Sequence, residues 1–229
     1  QGVHTHIGAY HILHGVDLEV PAGQVTMLLG RNGAGKSTTL RTIMGLWATS
    51  KGSVHFKGRQ IGGPGGQWPT PEIAQLGIAY VPESMGIFTD LSVKENMVLA
   101  ARVARRAEEL DTTRLEWIFG LFPAIRKVWQ HPAGLLSGGQ KQMLAVARAI
   151  VEPRKLLLVD EPTKGLAPAI IQSLITAFRE LKAMETTILL VEQNFSFVKS
   201  LGDTVAVMDD GRIVHSGRMD ELAEDRELQ

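Results

Sequence analysis

The chain has 229 residues, of which 44% are hydrophobic and 21% charged, with a formal net charge of +0. That length and balance describe an ordinary soluble globular protein, either one large domain or one domain with a lobe inserted, and the zero charge gives nucleic acid no bulk attraction as a partner. Cysteine is absent, which excludes disulfides and Cys-ligated zinc and fits a reducing compartment. No apolar run approaches the ~20 residues needed to span a bilayer. The stretch Gln1-Gly2-Val3-His4 has no apolar core of a secretory signal. The missing initiator Met predicts that a few residues precede it.

Residues 3–20 alternate in places, most clearly at Val16-Asp17-Leu18-Glu19-Val20. A period of two predicts half-buried antiparallel strands. Pro21-Ala22-Gly23-Gln24 predicts a turn, and Val25-Thr26-Met27-Leu28-Leu29 a buried strand. Next comes Gly30-Arg31-Asn32-Gly33-Ala34-Gly35-Lys36-Ser37, which matches G-x-x-x-x-G-K-[ST], the phosphate-binding P-loop. A nucleoside triphosphate carries several negative charges on a flexible tail. Gly30, Gly33 and Gly35 let the backbone N–H groups approach its oxygens. Lys36 brings a point cation to the outer phosphates, and Ser37 offers a hydroxyl to Mg²⁺. Thr38 to Met44 suits a helix whose positive N-terminal end faces the same phosphates.

Gly52 to Phe56 reads as a further strand of the first sheet, turned at Lys57-Gly58. Residues from Ile61 to Pro71 read as irregular loop, Glu72 to Leu76 as a short helix, and Ile78 to Val81 as a short buried strand. Residues 84–136 change texture to a helical period. Ser92-Val93-Lys94-Glu95 is a capping-box pattern that opens a helix through Arg106, and Thr112 to Leu121 predicts a second helix. This stretch reads as a helical lobe inserted into a core formed by about 1–83 and 137–229. Further on, helices are predicted for Ser137 to Val151, Pro168 to Met184 and Phe195 to Leu201. Strands are predicted for Lys155 to Val159, Thr187 to Val191, Val205 to Met208 and Ile213 to His215, the last two joined by a turn at Asp209-Asp210-Gly211-Arg212. Alternating strands and helices define an α/β fold with a mostly parallel sheet covered on both faces.

Two more motifs carry chemistry. Leu156-Leu157-Leu158-Val159-Asp160-Glu161 ends an apolar strand with two carboxylates, the Walker B pattern in a P-loop protein. Successive side chains of a strand point in opposite directions, so Asp160 suits the Mg²⁺ shell and Glu161 suits polarising the attacking water. Leu136-Ser137-Gly138-Gly139-Gln140 contains S-x-x-Q, a helix N-cap box, and the same helix end with its glycines and hydroxyl is a second anion site. Both readings hold together.

L-S-G-G-Q at 136–140, between the P-loop and Walker B, resembles the signature of the ATP-binding cassette (ABC) family, and the resemblance covers essentially the whole chain. It implies a P-loop core, an N-terminal antiparallel β-subdomain and an inserted α-helical subdomain. It also implies that two cassettes pair head to tail, so that Ser137, Gly138, Gly139 and Gln140 complete the ATP site of a partner. Three positions depart from the commonest family form and bear on the hydrolysis rate. Glu83 stands where the family usually has Gln; a carboxylate there can still hold Mg²⁺ or water but adds repulsion near the γ-phosphate. Gln193 stands where the family usually has His; it can donate a hydrogen bond but cannot become cationic. Gly165-Leu166-Ala167-Pro168 lacks an Asp common in that loop.

V-P-E, E-P-T-K-G-L-A-P and L-V-E-Q-N together resemble the LivF-type ATP-binding subunits of branched-chain amino-acid importers, a group whose relatives also handle other amino acids, amides or urea. The resemblance implies ATP and Mg²⁺ as cofactors, separate integral membrane permease subunits at the cytoplasmic face of the inner membrane, and an indirect link to a periplasmic solute-binding protein. It implies a second cassette, either LivG-type or a copy of this chain. A soluble ABC ATPase, or an ATP-dependent dimerisation switch uncoupled from transport, are the rival readings. The family's adenine-stacking aromatic maps to Tyr10 by residue type, or nearer Ile7 by spacing. His4, His6, His11 and His14 crowd the first strands; they read as outward polar positions of an edge strand, with a metal site as the alternative.

Overall fold

In the computed structural model, which describes residues 1–101 and 109–224, the chain opens with an antiparallel hairpin. Its strands are β1 (Val3–Ile7) and β2 (Tyr10–Val16). The alternating stretch that follows is not a strand: residues 17–20 form no ladder. Leu18 and Val20 still pack inward, and Pro21, which has no N–H to donate, follows them. Alternation here records burial without pairing. Then β3 (Val25–Gly30) runs through the P-loop into α1 (Lys36–Ile43).

The strand that completes the first sheet is β4 (Thr49–Lys51), giving the order β2-β1-β4. The expected assignment of residues 52–56 to that sheet is therefore corrected. β5 (Val54–Phe56) turns at Lys57-Gly58 and pairs with β6 (Arg59–Gly62) in a separate two-stranded sheet. Ile61 and Gly62, read as loop, belong to this ladder. The helix expected at 72–76 is α2 (Thr70–Gln75), started two residues earlier with Pro71 in its first turn. β7 (Ile78–Val81) falls where the sequence predicted it.

Among the described residues, three α-helices lie between β7 and the next core helix: α3 (Val93–Ala100), α4 (Thr112–Leu121) and α5 (Pro123–Lys127). The expected continuation of α3 to Arg106 lies outside the described residues. A single 3₁₀ turn at Ala133–Leu135 leads into α6 (Gly138–Ile150). The remaining elements are β8 (Leu156–Asp160), α7 (Pro168–Ala183), β9 (Thr187–Val191), α8 (Phe195–Leu201), β10 (Thr204–Asp209), β11 (Arg212–Arg218) and α9 (Met219–Glu224).

The main sheet has the order β11-β10-β3-β9-β8-β7, parallel except for the edge strand β11. Alternation along each strand divides its apolar side chains between two layers. Leu157, Val159, Ile188 and Leu190 meet the helices of one face, with α6, α7 and α8 among them. Leu156, Leu158, Leu189 and Val191 meet α1 and the N-terminal sheet on the other. Each fully buried Leu or Val contributes roughly 1.5–3 kcal/mol, so the strands are fixed from both sides. Their C-terminal ends are left to carry function.

Candidate active site

The P-loop forms a tight cradle between β3 and α1. Gly30 has φ 146, and a Cβ there would lie 2.1 Å from the Met208 carbonyl oxygen of β10, so only glycine fits. Gly33 and Gly35 are also left-handed, and no side chain caps the N-terminus of α1. That helix end carries the positive pole of its dipole. Arg31 and Asn32 lie exposed on the loop, Ala34 is buried under it, and Thr38 stands in the first turn of α1. Lys36 folds back over the loop and donates to the carbonyls of Gly30 at 2.8 Å and Arg31 at 2.9 Å. Burial lowers its proton affinity, opposed by attraction to Glu161 and Asp160.

Asp160, at the end of β8, is fully buried. It accepts hydrogen bonds from Ser37 Oγ at 3.0 Å and Tyr80 OH at 3.3 Å. Burial pushes its carboxyl above the ordinary value, and these two hydrogen bonds and the Arg41 charge oppose that shift. Burial also pushes the Tyr80 hydroxyl up to about 12, so it remains a donor. A hydroxyl and a carboxylate converging beside a phosphate cradle form an oxygen donor set suited to Mg²⁺. The residues present therefore fit a nucleoside triphosphate and that ion.

Glu161 leaves the strand with φ 46, a conformation uncommon for a residue with a side chain. Its N–H is held by the Val191 carbonyl of β9 at 2.9 Å. Gln193 Nε2 donates to Glu161 Oε1 at 2.6 Å and to Asn32 Oδ1 at 2.8 Å. One amide thus ties the second carboxylate to the P-loop. Glu83, read from sequence as a metal or water ligand, lies in the turn after β7 and pairs with Lys164 at 2.5 Å.

Sequence reasoning missed Lys164 and Glu192. Glu192 is buried, and its two oxygens accept from Thr163 N and Oγ1 at 2.9 and 2.5 Å and from the N–H groups of Gln193 and Asn194 at 2.8 and 3.0 Å. It joins the loop after Glu161 to the loop that carries Gln193. An acidic residue next to two polar ones after an apolar strand is the available signal, but its partner loop lies far away in the chain.

The residues 137–140 form the N-terminus of α6. Ser137 and Gln140 make a reciprocal capping box, with bonds of 3.3 and 2.9 Å. Ser137 and Gly138 are exposed. Gly139 is confined, because a Cβ there would lie 2.8 Å from Ile170 on α7. Tyr10 and Ile7, the two candidates for adenine stacking, are cross-strand partners at the tip of the first hairpin, and Tyr10 is 76% exposed. Bulges in β2 bring His11 and His14 to one face beside His6 and His4. The His6 and His11 rings stack at 4.2 Å and 7°. His4 Nδ1 and His11 Nε2 lie 3.0 Å apart as hydrogen-bond partners, and no group of three or more His, Cys, Asp or Glu that could hold a metal ion occurs among the described residues. β1, which carries His4 and His6, is the central strand of its sheet and not an edge.

An α/β core with a P-loop, a buried aspartate on its serine and a second carboxylate linked back to the loop defines a nucleotide-hydrolysing cassette. Residues 13–164 match the family described as "ABC transporter", and the chain belongs to that family. It is 37% identical to the high-affinity branched-chain amino acid transport ATP-binding protein BraG of Pseudomonas aeruginosa, over 93% of this chain and 88% of the relative. It is 35% identical to the probable branched-chain amino acid transport ATP-binding protein LivF of Archaeoglobus fulgidus, over 96% and 91%. A solved ATP-binding subunit of an ABC transporter superposes with a TM-score of 0.80 at 28% identity, covering 100% of this chain and 92% of that one.

Proposed function

We propose that this ABC ATPase drives import of branched-chain or related amino acids, with amides or urea as the nearest alternatives. The observation that carries the ATP-hydrolysing part of the reading is the bridge Asn32–Gln193–Glu161, which ties the phosphate cradle to a carboxylate base. The names of the BraG and LivF relatives support the solute class.

In this reading the N–H groups of residues 30–38 and the Lys36 ammonium hold the phosphates of ATP. Ser37 and Asp160 would hold Mg²⁺, with Glu83 nearby. Mg²⁺, when bound, neutralises charge on the outer phosphates. Glu161 takes a proton from the attacking water, which adds to the γ-phosphorus as the bond to ADP breaks. Gln193 has two amide hydrogens, both committed to Asn32 and Glu161. It must release one to meet a γ-phosphate, so it orients the base before the nucleotide is engaged. Ser137, Gly138, Gly139 and Gln140 serve the site of a second cassette, which we take to be a non-identical, LivG-type subunit. Permease subunits dock on the helical segment, about 84–136, from the cytoplasmic side of the membrane. No helix among the described residues is long and apolar enough to cross it.

Two substitutions test the chemistry. Lys36→Ala should abolish most ATP binding, measured with a fluorescent ATP analogue. Glu161→Gln should keep binding, remove most turnover and trap the closed pair. Parental turnover in Glu161→Gln would sink the base assignment. Purifying the membrane complex and finding two copies of this chain alone would refute the non-identical partner.

A further inference from the structure

The loop after β8 carries a cation that no nucleotide motif accounts for. Lys164 Nζ lies 2.5 Å from Glu83 Oε1 and 3.9 Å from Glu161 Oε2. A single ammonium therefore stands between the turn after β7 and the carboxylate that Gln193 links to the P-loop. The backbone beneath it is pinned, because Thr163 is bound twice by the buried Glu192. The Lys164 side chain itself is largely exposed and free to follow its partner.

The charges around it are unevenly matched. Glu83 and Glu161 lie on either side of this ammonium, and the buried Asp160 is bonded to Ser37 of the P-loop. Lys36 is the cation assigned to the phosphates, and Arg41 lies first against the Tyr80 hydroxyl, with Glu83 the last of its attractions. A triphosphate would bring further negative charge to a place where Glu83 already contributes one. Like charges brought close together repel one another.

We propose that Lys164 is a positioning residue that neutralises Glu83, so that this site accepts a triphosphate despite the carboxylate beside the outer phosphate. The proposal rests on the nucleotide-site reading given above. Lys164 sits closer to Glu83 than to Glu161, so it offsets the first more than the second. Both partners are substantially exposed, and an exposed ion pair adds little to folding. Its effect belongs to ligand affinity and not to stability.

Equilibrium titration of the full chain with fluorescent ATP and ADP, in the presence of Mg²⁺, tests this. Lys164→Gln should weaken ATP affinity by about tenfold, a change of about 1.4 kcal/mol, while ADP affinity stays within about twofold. Lys164→Arg should recover ATP affinity, and so should the double variant Glu83→Gln/Lys164→Gln, which removes both charges. Equal losses for ATP and ADP in Lys164→Gln, or a double variant as weak as the single one, would overturn the pairing. So would parental ATP affinity in Lys164→Gln while Lys36→Ala abolishes binding. If Lys36→Ala itself leaves binding unchanged, the nucleotide-site reading fails first and the pairing falls with it.

Discussion

Glu192 is 3% exposed, a depth at which a carboxylate needs partners for every lone pair it turns inward. It has four donors on two oxygens, drawn from Thr163, Gln193 and Asn194. Two loops that both border the site are thereby set by one side chain. Glu192→Gln replaces one oxygen with an NH₂ group that faces N–H donors. A buried mismatch of this kind costs about 1–3 kcal/mol, and in a chain of this size each kcal/mol lowers Tm by roughly 2–4 °C. Calorimetry should show that loss, and kcat should fall more than KM rises, because Gln193 loses its orientation towards Glu161. A variant with parental Tm and kcat would show that the clamp is idle. The sequence held Glu192 and Lys164 in plain view, inside L-V-E-Q-N and E-P-T-K-G. It did not reveal their distant partners, Thr163 and Glu83, which lie 29 and 81 positions away. The P-loop and the two strand-end carboxylates were legible because their chemistry is written in adjacent residues.

At the scale of elements, legibility follows how local the cause is. α3 begins where S-x-x-E predicted, because its start is fixed by bonds across three residues: Ser92 Oγ accepts from Glu95 N–H at 3.2 Å, and Glu95 Oε2 accepts from Ser92 N–H at 2.7 Å. The hydrogen bonds from Ser92 hold the Glu95 carboxyl below its ordinary value of 4.5. A depressed acid favours the fold above its unfolded pKa and loses that contribution as pH falls through the folded one. Ser92→Ala should therefore lower Tm by about 2–4 °C at neutral pH. The gap to the parent should narrow in melts taken progressively further below pH 4.5. A gap constant across that range would remove Glu95 from the cap's energetics. Residues 17–20 and 52–56 were misread for the opposite reason. A period of two reports which face is buried, whereas ladder membership depends on which distant strand arrives alongside. β1 is flanked by β2 and β4, so Val54 to Phe56 found its partner in β6 instead.

For the whole molecule, the decisive feature is a helix end turned outward. The N-terminus of α6 is capped from within by Ser137 and Gln140, yet Ser137 and Gly138 remain exposed. Gly139 touches Ile170 and is explained by packing, whereas a Cβ on Gly138 would meet nothing within 4 Å. In the lone chain, then, nothing steric requires glycine at 138. An aspartate there would even suit the positive end of α6. Pairing changes that argument, because a triphosphate held by a second cassette would face the new carboxylate directly. Gly138→Asp should accordingly fold with parental Tm and bind ATP at its own P-loop within about twofold of the parent. In the Glu161→Gln background it should lose ATP-dependent association with the second cassette, read by light scattering at several protein concentrations. Retained association would mean that this helix end never meets a partner's nucleotide, and the head-to-tail reading would have to be given up. Lost ATP binding at the variant's own P-loop would instead mean that the two ends of the molecule are coupled within a single chain.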